Sequence, residues 1–206
     1  MIDLDSVDTV LATARSVRRK LDFERPVPRQ VILDCINIAT QAPTGLGGES
    51  WRFLVVTEAQ RKQALATLYG LVLEELATAR GVEIKPTQRA LVERLHEIPA
   101  MILVCTTADG PSEEIAGQVA YYGSVLPAAW SLMLALRARQ LGSTWTTLLS
   151  SRQQEVAEIL AIPTSVVNTV MFPVAYTKGA TLRRAERLEA REVTFWDDWG
   201  SKEEEN

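Results

Sequence analysis

Residues Ile115 to Leu136 run for twenty-two positions without a charged side chain. A stretch of that length has two physical homes: the hydrocarbon of a bilayer, or a protein interior that covers it on every side. Gln118, Tyr121, Tyr122, Gly123, Ser124, Pro127 and Ser131 make it too polar for the first, and the chain has no second stretch like it. The segment therefore predicts a helix buried in a core or in a subunit interface. The rest of the chain must supply the cover.

The chain has 206 residues, 47% of them hydrophobic and 23% charged, which suits one large globular domain. A net charge of -4 gives no global footprint for nucleic acid. Three aspartates among Met1 to Asp8 do not fit an export leader, so the expected setting is the cytoplasm, away from membranes. Cys35 and Cys105 lie in apolar patterns and read as buried thiols rather than a disulfide. His96 is the sole histidine, which argues against a zinc site and leaves a hydrolytic triad without its usual motif. His96 itself reads as a helix-end or surface residue.

Val7 to Arg19 predicts a helix running into a basic turn, and Arg29 to Ala42 a second helix with Ile32, Cys35, Ile36 and Ala39 on one face. Trp51 to Thr57 is strand-like. Gln60 to Ala79 and Pro86 to Glu97 are amphipathic helices parted by Arg80-Gly81. Ala100 to Thr107 suits a strand covered on both faces. Ser143 to Leu149 has strand composition, Gln153 to Leu160 predicts a short helix, and Val167 to Tyr176 another strand. This order, without strict alternation of strand and helix, predicts an α+β fold. The last thirty residues carry too little apolar content for a core and read as an arm ending in the acidic tail Glu203 to Glu205.

Between the second helix and the first strand stands "APTGLGGESW", Ala42 to Trp51. It is not a P-loop, because Gly48 is followed by Glu49 and Ser50 rather than lysine. It is not a dinucleotide fingerprint either, because the order is helix then strand. On its own it reads as a helix C-cap with a permissive loop. Upstream, "ARSVRRK" (Ala14 to Lys20) sets a serine among three arginines. Guanidinium forks beside a short hydroxyl suit phosphate, and a solvated basic face suits the same residues.

Taken together, "ARSVRRKLDFERPVP", "APTGLGGESWRFLVV" and "LGSTWTTLL" resemble the FMN-dependent nitroreductase family in order and spacing, from Thr13 to about Trp199. That resemblance implies a single nitroreductase-like domain over residues 1–206, a mixed sheet flanked by helices. Residues 60–97 would form a helical lid and 178–206 an arm exchanged with a partner. It further implies a homodimer, with its long central helix at the interface and FMN bound there. Arg15, Ser16 and Arg18 would hold the FMN phosphate and the polar flavin edge. Pro43, Thr44, Gly45, Gly47 and Glu49 would lie against the ring. Thr144, Trp145, Thr146 and Thr147 would cross the N5 region, one of them donating a backbone N–H. Arg184 and Arg187, in a basic run with Arg183, would complete the phosphate site. Tyr69 would line the lid, and Trp51 would anchor its strand.

The chain departs from the family pattern at Ala14, where an arginine is usual, and at Gly47 and Glu49, where Asn and Gln are usual. Thr147 and Leu148 replace glycines. These changes bear on FMN affinity, reduction potential and acceptor rather than on the fold. The implied activity is ping-pong transfer of two electrons from NADPH or NADH to a nitroaromatic or quinone-like acceptor, with no catalytic side chain. The alternatives are dehydrogenation, dehalogenation, flavin cleavage, or flavin binding without catalysis.

Overall fold

The computed structural model describes residues 2–45 and 48–201. Gly47 and the acidic tail Glu203 to Glu205 lie outside the described residues. Residues 14–181 make one compact unit, and residues 1–13 with those from 182 onward make another.

Among the described residues the larger unit is built on five strands: β1 (Leu21–Asp22), β2 (Trp51–Val56), β3 (Ala100–Thr106), β4 (Leu141–Ser143) and β5 (Val167–Thr177). Their order is β1-β5-β3-β2, with β4 also paired to β5, and every pairing is antiparallel. All seven residues of β3 are buried, which is why its sequence is an unbroken apolar run rather than an alternating one. Its even-numbered residues Ile102 and Val104 join Val170, Phe172 and Val174 of β5 in one cluster.

Two helices complete that cluster. From α2 (Arg29–Ala39) come Ile32, Cys35 and Ala39; from α5 (Ile115–Ala138) come Val125, Ala128, Ala129, Leu132, Met133 and Leu136. The uncharged segment is therefore a core helix over its second half. It is also the one helix among the described residues long and apolar enough to cross a membrane. Its cover is incomplete, however. Ile115, Val119, Tyr122 and Trp130 recur at spacings of three, four and eight, so they share a face, and all four are exposed. Leu33 and Ile38 of the adjoining α2 are exposed as well.

Helix α3 (Ala59–Arg80) begins where the Glu58 carboxylate accepts the Gln60 and Arg61 N–H groups, at 2.7 and 3.1 Å. It ends where Gly81 takes φ +60° and closes the last turn onto Ala77 and Thr78. Eight of its residues are buried, Tyr69 and Lys62 among them. The Lys62 ammonium donates to the Ile98 carbonyl at 2.6 Å, and burial pushes its pKa down. Arg152 pairs with Glu75 of α3 and Glu155 of α6 (Gln153–Leu160), tying these two helices. Helix α4 (Pro86–Arg94) follows, continuing into a 3-10 turn over Leu95–Glu97 that carries the exposed His96.

Two expectations need correction. The first helix, α1 (Leu4–Thr13), stops six residues before Arg19. The chain leaves it because the Val17 N–H donates to the Ser143 carbonyl at 2.8 Å, and the Thr144 hydroxyl donates to the Val17 carbonyl at 2.9 Å. Tertiary bonds thus replace helical ones across Ala14 to Arg18. The expected strand Ser143 to Leu149 is likewise only β4 and a single bridge from Thr146 to Met171. Beyond it Leu148–Ser151 turns into a 3-10 helix.

In the smaller unit, 182–201 contains only the four-residue helix α7 (Ala190–Val193), which has no buried residue. That low order follows from its composition.

Candidate cofactor site

Two seams bring distant residues into register. At the first, Ala14 to Arg18 lies along the end of β4 through the two bonds above, and the Trp145 N–H donates to the Ser16 Oγ at 3.2 Å. Ser16 and Arg18 flank the buried Val17, and both are half-buried. Among the described residues no carboxylate forms an ion pair with Arg18. Arg15 is exposed.

Gly142 makes this seam possible. A Cβ there would stand 2.7 Å from Leu21 Cδ2 and 3.2 Å from Val17 Cβ, far inside van der Waals contact. Gly142→Ala is therefore expected to cost about 1–3 kcal/mol of stability through overpacking, read as a lowered urea midpoint. An unchanged midpoint would mean that the seam is loose.

At the second seam, the Gly45 N–H donates to the Ser124 Oγ of α5 at 2.9 Å, and that hydroxyl donates to the Ala120 carbonyl at 2.7 Å. A Cβ on Gly45 would lie 2.6 Å from the same Oγ. The glycine is needed for close approach to the helix. Pro43, Thr44, Gly45 and Gly48 are exposed, so this stretch offers bare backbone to whatever lies outside it. Glu49 is exposed too, and the Arg52 guanidinium donates to its carbonyl at 2.8 Å. Trp51 is buried in the core cluster, and its indole N–H has no partner among the described residues.

The four residues after β4 behave differently from one another. Thr144 is buried, with its hydroxyl given to Val17. Trp145 meets Phe172 edge to face, ring centroids 5.5 Å apart. Thr146 is buried, and both its N–H and its carbonyl pair with Met171, at 3.2 and 2.8 Å. Thr147 is exposed, and its N–H has no acceptor among the described residues. Of the amides at 145 to 147, only that one is left for a ligand.

Arg184 and Arg187 are exposed in the smaller unit, where an Arg187 N–H donates to the Glu186 carbonyl at 2.9 Å. Tyr69, expected as a lid residue, is buried with its hydroxyl 3.4 Å from Thr146 Oγ1. No sequence signal pointed to that contact, because it joins positions 77 residues apart. Neither cysteine is poised for chemistry. Burial raises both thiols, Cys105 to about 11, so the thiolate is scarce at neutral pH.

A family model described as the nitroreductase family matches residues 11–176. The iodotyrosine deiodinase of Drosophila melanogaster is 30% identical over 180 residues, covering 82% of this chain and 61% of that protein. That of Thermotoga neapolitana is 29% identical over 179 residues, covering 81% and 86%. The chain thus spans about three fifths of the fly protein's length and most of the bacterial one's. A crystal structure of oxidised iodotyrosine deiodinase bound to FMN and 3-iodo-L-tyrosine superposes with a TM-score of 0.67. It is 23% identical and covers 91% of this chain and 98% of its own. The family match takes in both seams and all five strands but for the last residue of β5, and so this chain belongs to the nitroreductase family.

Proposed function

We propose that this chain is an FMN-dependent oxidoreductase acting as a cytoplasmic homodimer. It takes two electrons from NADPH or NADH and passes them to a small nitroaromatic or quinone-like acceptor. The observation that carries the reading is the first seam, a hydrogen-bonded strip that includes a guanidinium (Arg18) with no ion pair and is followed by an amide (Thr147) with no acceptor among the described residues. Such a strip suits a long ligand, anionic at one end and hydrogen-accepting at the other. The bare backbone of Pro43 to Gly45, fixed on α5 by Ser124, suits a flat ring.

FMN, when bound, supplies the redox chemistry, hydride in and two electrons out at its N5. The chain's residues bind and orient. Arg15, Ser16 and Arg18 hold the phosphate and the polar flavin edge, and the Ser16 hydroxyl proton is free to donate because its oxygen serves Trp145. Thr147 donates its N–H, while Thr144, Trp145 and Thr146 brace it from behind. Pro43, Thr44, Gly45 and Glu49 would lie against the ring, and α3 with α4 shapes acceptor entry. Arg184 and Arg187 would add positive charge from the arm of a second copy. No step calls for a side-chain nucleophile.

A second reading, reductive dehalogenation of a halogenated aromatic, is favoured by the sequence identity to two deiodinases. Steady-state assays separate the two. The first reading predicts NADPH-dependent turnover of menadione and none of iodide from 3-iodotyrosine. Iodide release from dithionite-reduced protein, with no menadione turnover, would replace it with the second.

A further inference from the structure

The buried contact between α3 and the strip has a use that packing alone does not require. The Thr146 hydroxyl donates to the Tyr69 Oη at 3.4 Å and accepts the Leu148 N–H at 3.3 Å. Thr146 is therefore held at four points: its N–H and carbonyl by Met171, its hydroxyl by Tyr69 and by Leu148. The peptide between these fixed residues is that of Thr147, whose N–H is the unspent one. Tyr69 and Thr146 are both buried, at 5% and 8% exposure, so water cannot replace either partner cheaply. A hydroxyl accepting from the amide two residues on is a local turn-former, and its direction depends on where its own proton points. Tyr69 fixes that direction from another helix.

We propose that Tyr69, through Thr146, is a positioning residue that aims the Thr147 amide and thereby sets the reduction potential of the flavin. This rests on the FMN reading above. A donor aimed at the flavin's central ring favours one redox state over another, so a misaimed amide changes the two affinities unequally.

The test uses the full-length protein with FMN bound, comparing Tyr69→Phe, Thr146→Val, Thr146→Ser and the Tyr69→Phe/Thr146→Val double variant. The flavin midpoint potential is measured by equilibrium dye reduction, and the melting temperature alongside. Tyr69→Phe and Thr146→Val should each change the ratio of oxidised to reduced FMN affinity by about tenfold, about 30 mV for a two-electron couple. The double variant should move it no further than Thr146→Val alone, because that substitution already removes the Tyr69 pair together with the Leu148 bond. Thr146→Ser, which keeps the hydroxyl, should retain the wild-type potential. Lowered melting temperatures with unchanged potentials would overturn the proposal and leave the pair a packing contact. A wild-type protein that binds no FMN would overturn the flavin reading and this inference together.

Discussion

Arg18→Ala is expected to weaken FMN binding by about 10–100-fold, measured as flavin fluorescence quenching in the purified protein. A hydrogen bond to a charged group contributes about 1.5–3 kcal/mol, and each 1.4 kcal/mol is tenfold in affinity. Arg18 is the arginine of the basic run that is half-buried and makes no ion pair among the described residues. Its charge is thus not neutralised by a carboxylate among the described residues. Arg19, its exposed neighbour, is the control, and Arg19→Ala should leave the constant within about twofold. Arg18→Lys should recover part of the loss, because an ammonium keeps the charge but not the planar fork. Equal effects at 18 and 19 would reduce the run to a solvated basic face.

Trp130→Asp is expected to convert a dimer into a monomer. Its face of α5 also presents Ile115, Val119 and Tyr122, with Ile115 79% and Val119 66% exposed, an arrangement that a solitary chain leaves in water. A second copy of the same helix offers the matching apolar stripe, as two-fold interfaces require. An unpaired carboxylate placed there should raise the dimer dissociation constant by at least about 100-fold, since stranding a charge in an apolar interface costs several kcal/mol. Light scattering after gel filtration reads the change directly. The α5 residues facing the core, such as Leu132, are untouched by this substitution, so circular dichroism should stay constant. FMN should be lost in parallel if the ligand sits where two subunits meet. A variant that stays dimeric would move the interface elsewhere.

Most of the framework could be read from residue patterns, because it depends on local periodicity and burial. The unbroken apolar run at Ala100–Thr106, the uncharged helix, and the pair of helices parted by Arg80-Gly81 all appear where composition placed them. The misplaced boundaries have one cause. Ala14 to Arg18 has helical composition but trades helical bonds for those to Ser143 and Thr144, more than 120 residues away. Ser143 to Leu149 has strand composition but bends where the Trp145 amide turns to Ser16. Both errors are the two sides of the first seam, seen before they were joined.

The candidate site was legible in the same partial way. Its segments carry the family motifs, but those motifs do not say which atoms are already bonded within the fold. Thr144, Trp145 and Thr146 are equivalent to Thr147 in sequence, but the fold bonds their groups inward, to Val17, Ser16 and Met171. Tyr69 looked like a surface-lining residue because a helix pattern does not say what an aromatic tip reaches. The role of Gly142 was equally hidden, since its crowding comes from Val17, Leu21 and Thr177, three residues of other segments.

The most direct test is the absorbance spectrum of the purified protein between about 350 and 500 nm, with FMN added and then with NADPH under anaerobic conditions. A bound-flavin band, shifted from that of free FMN, is expected, and it bleaches on NADPH. A protein that leaves added FMN free in solution contradicts the FMN reading.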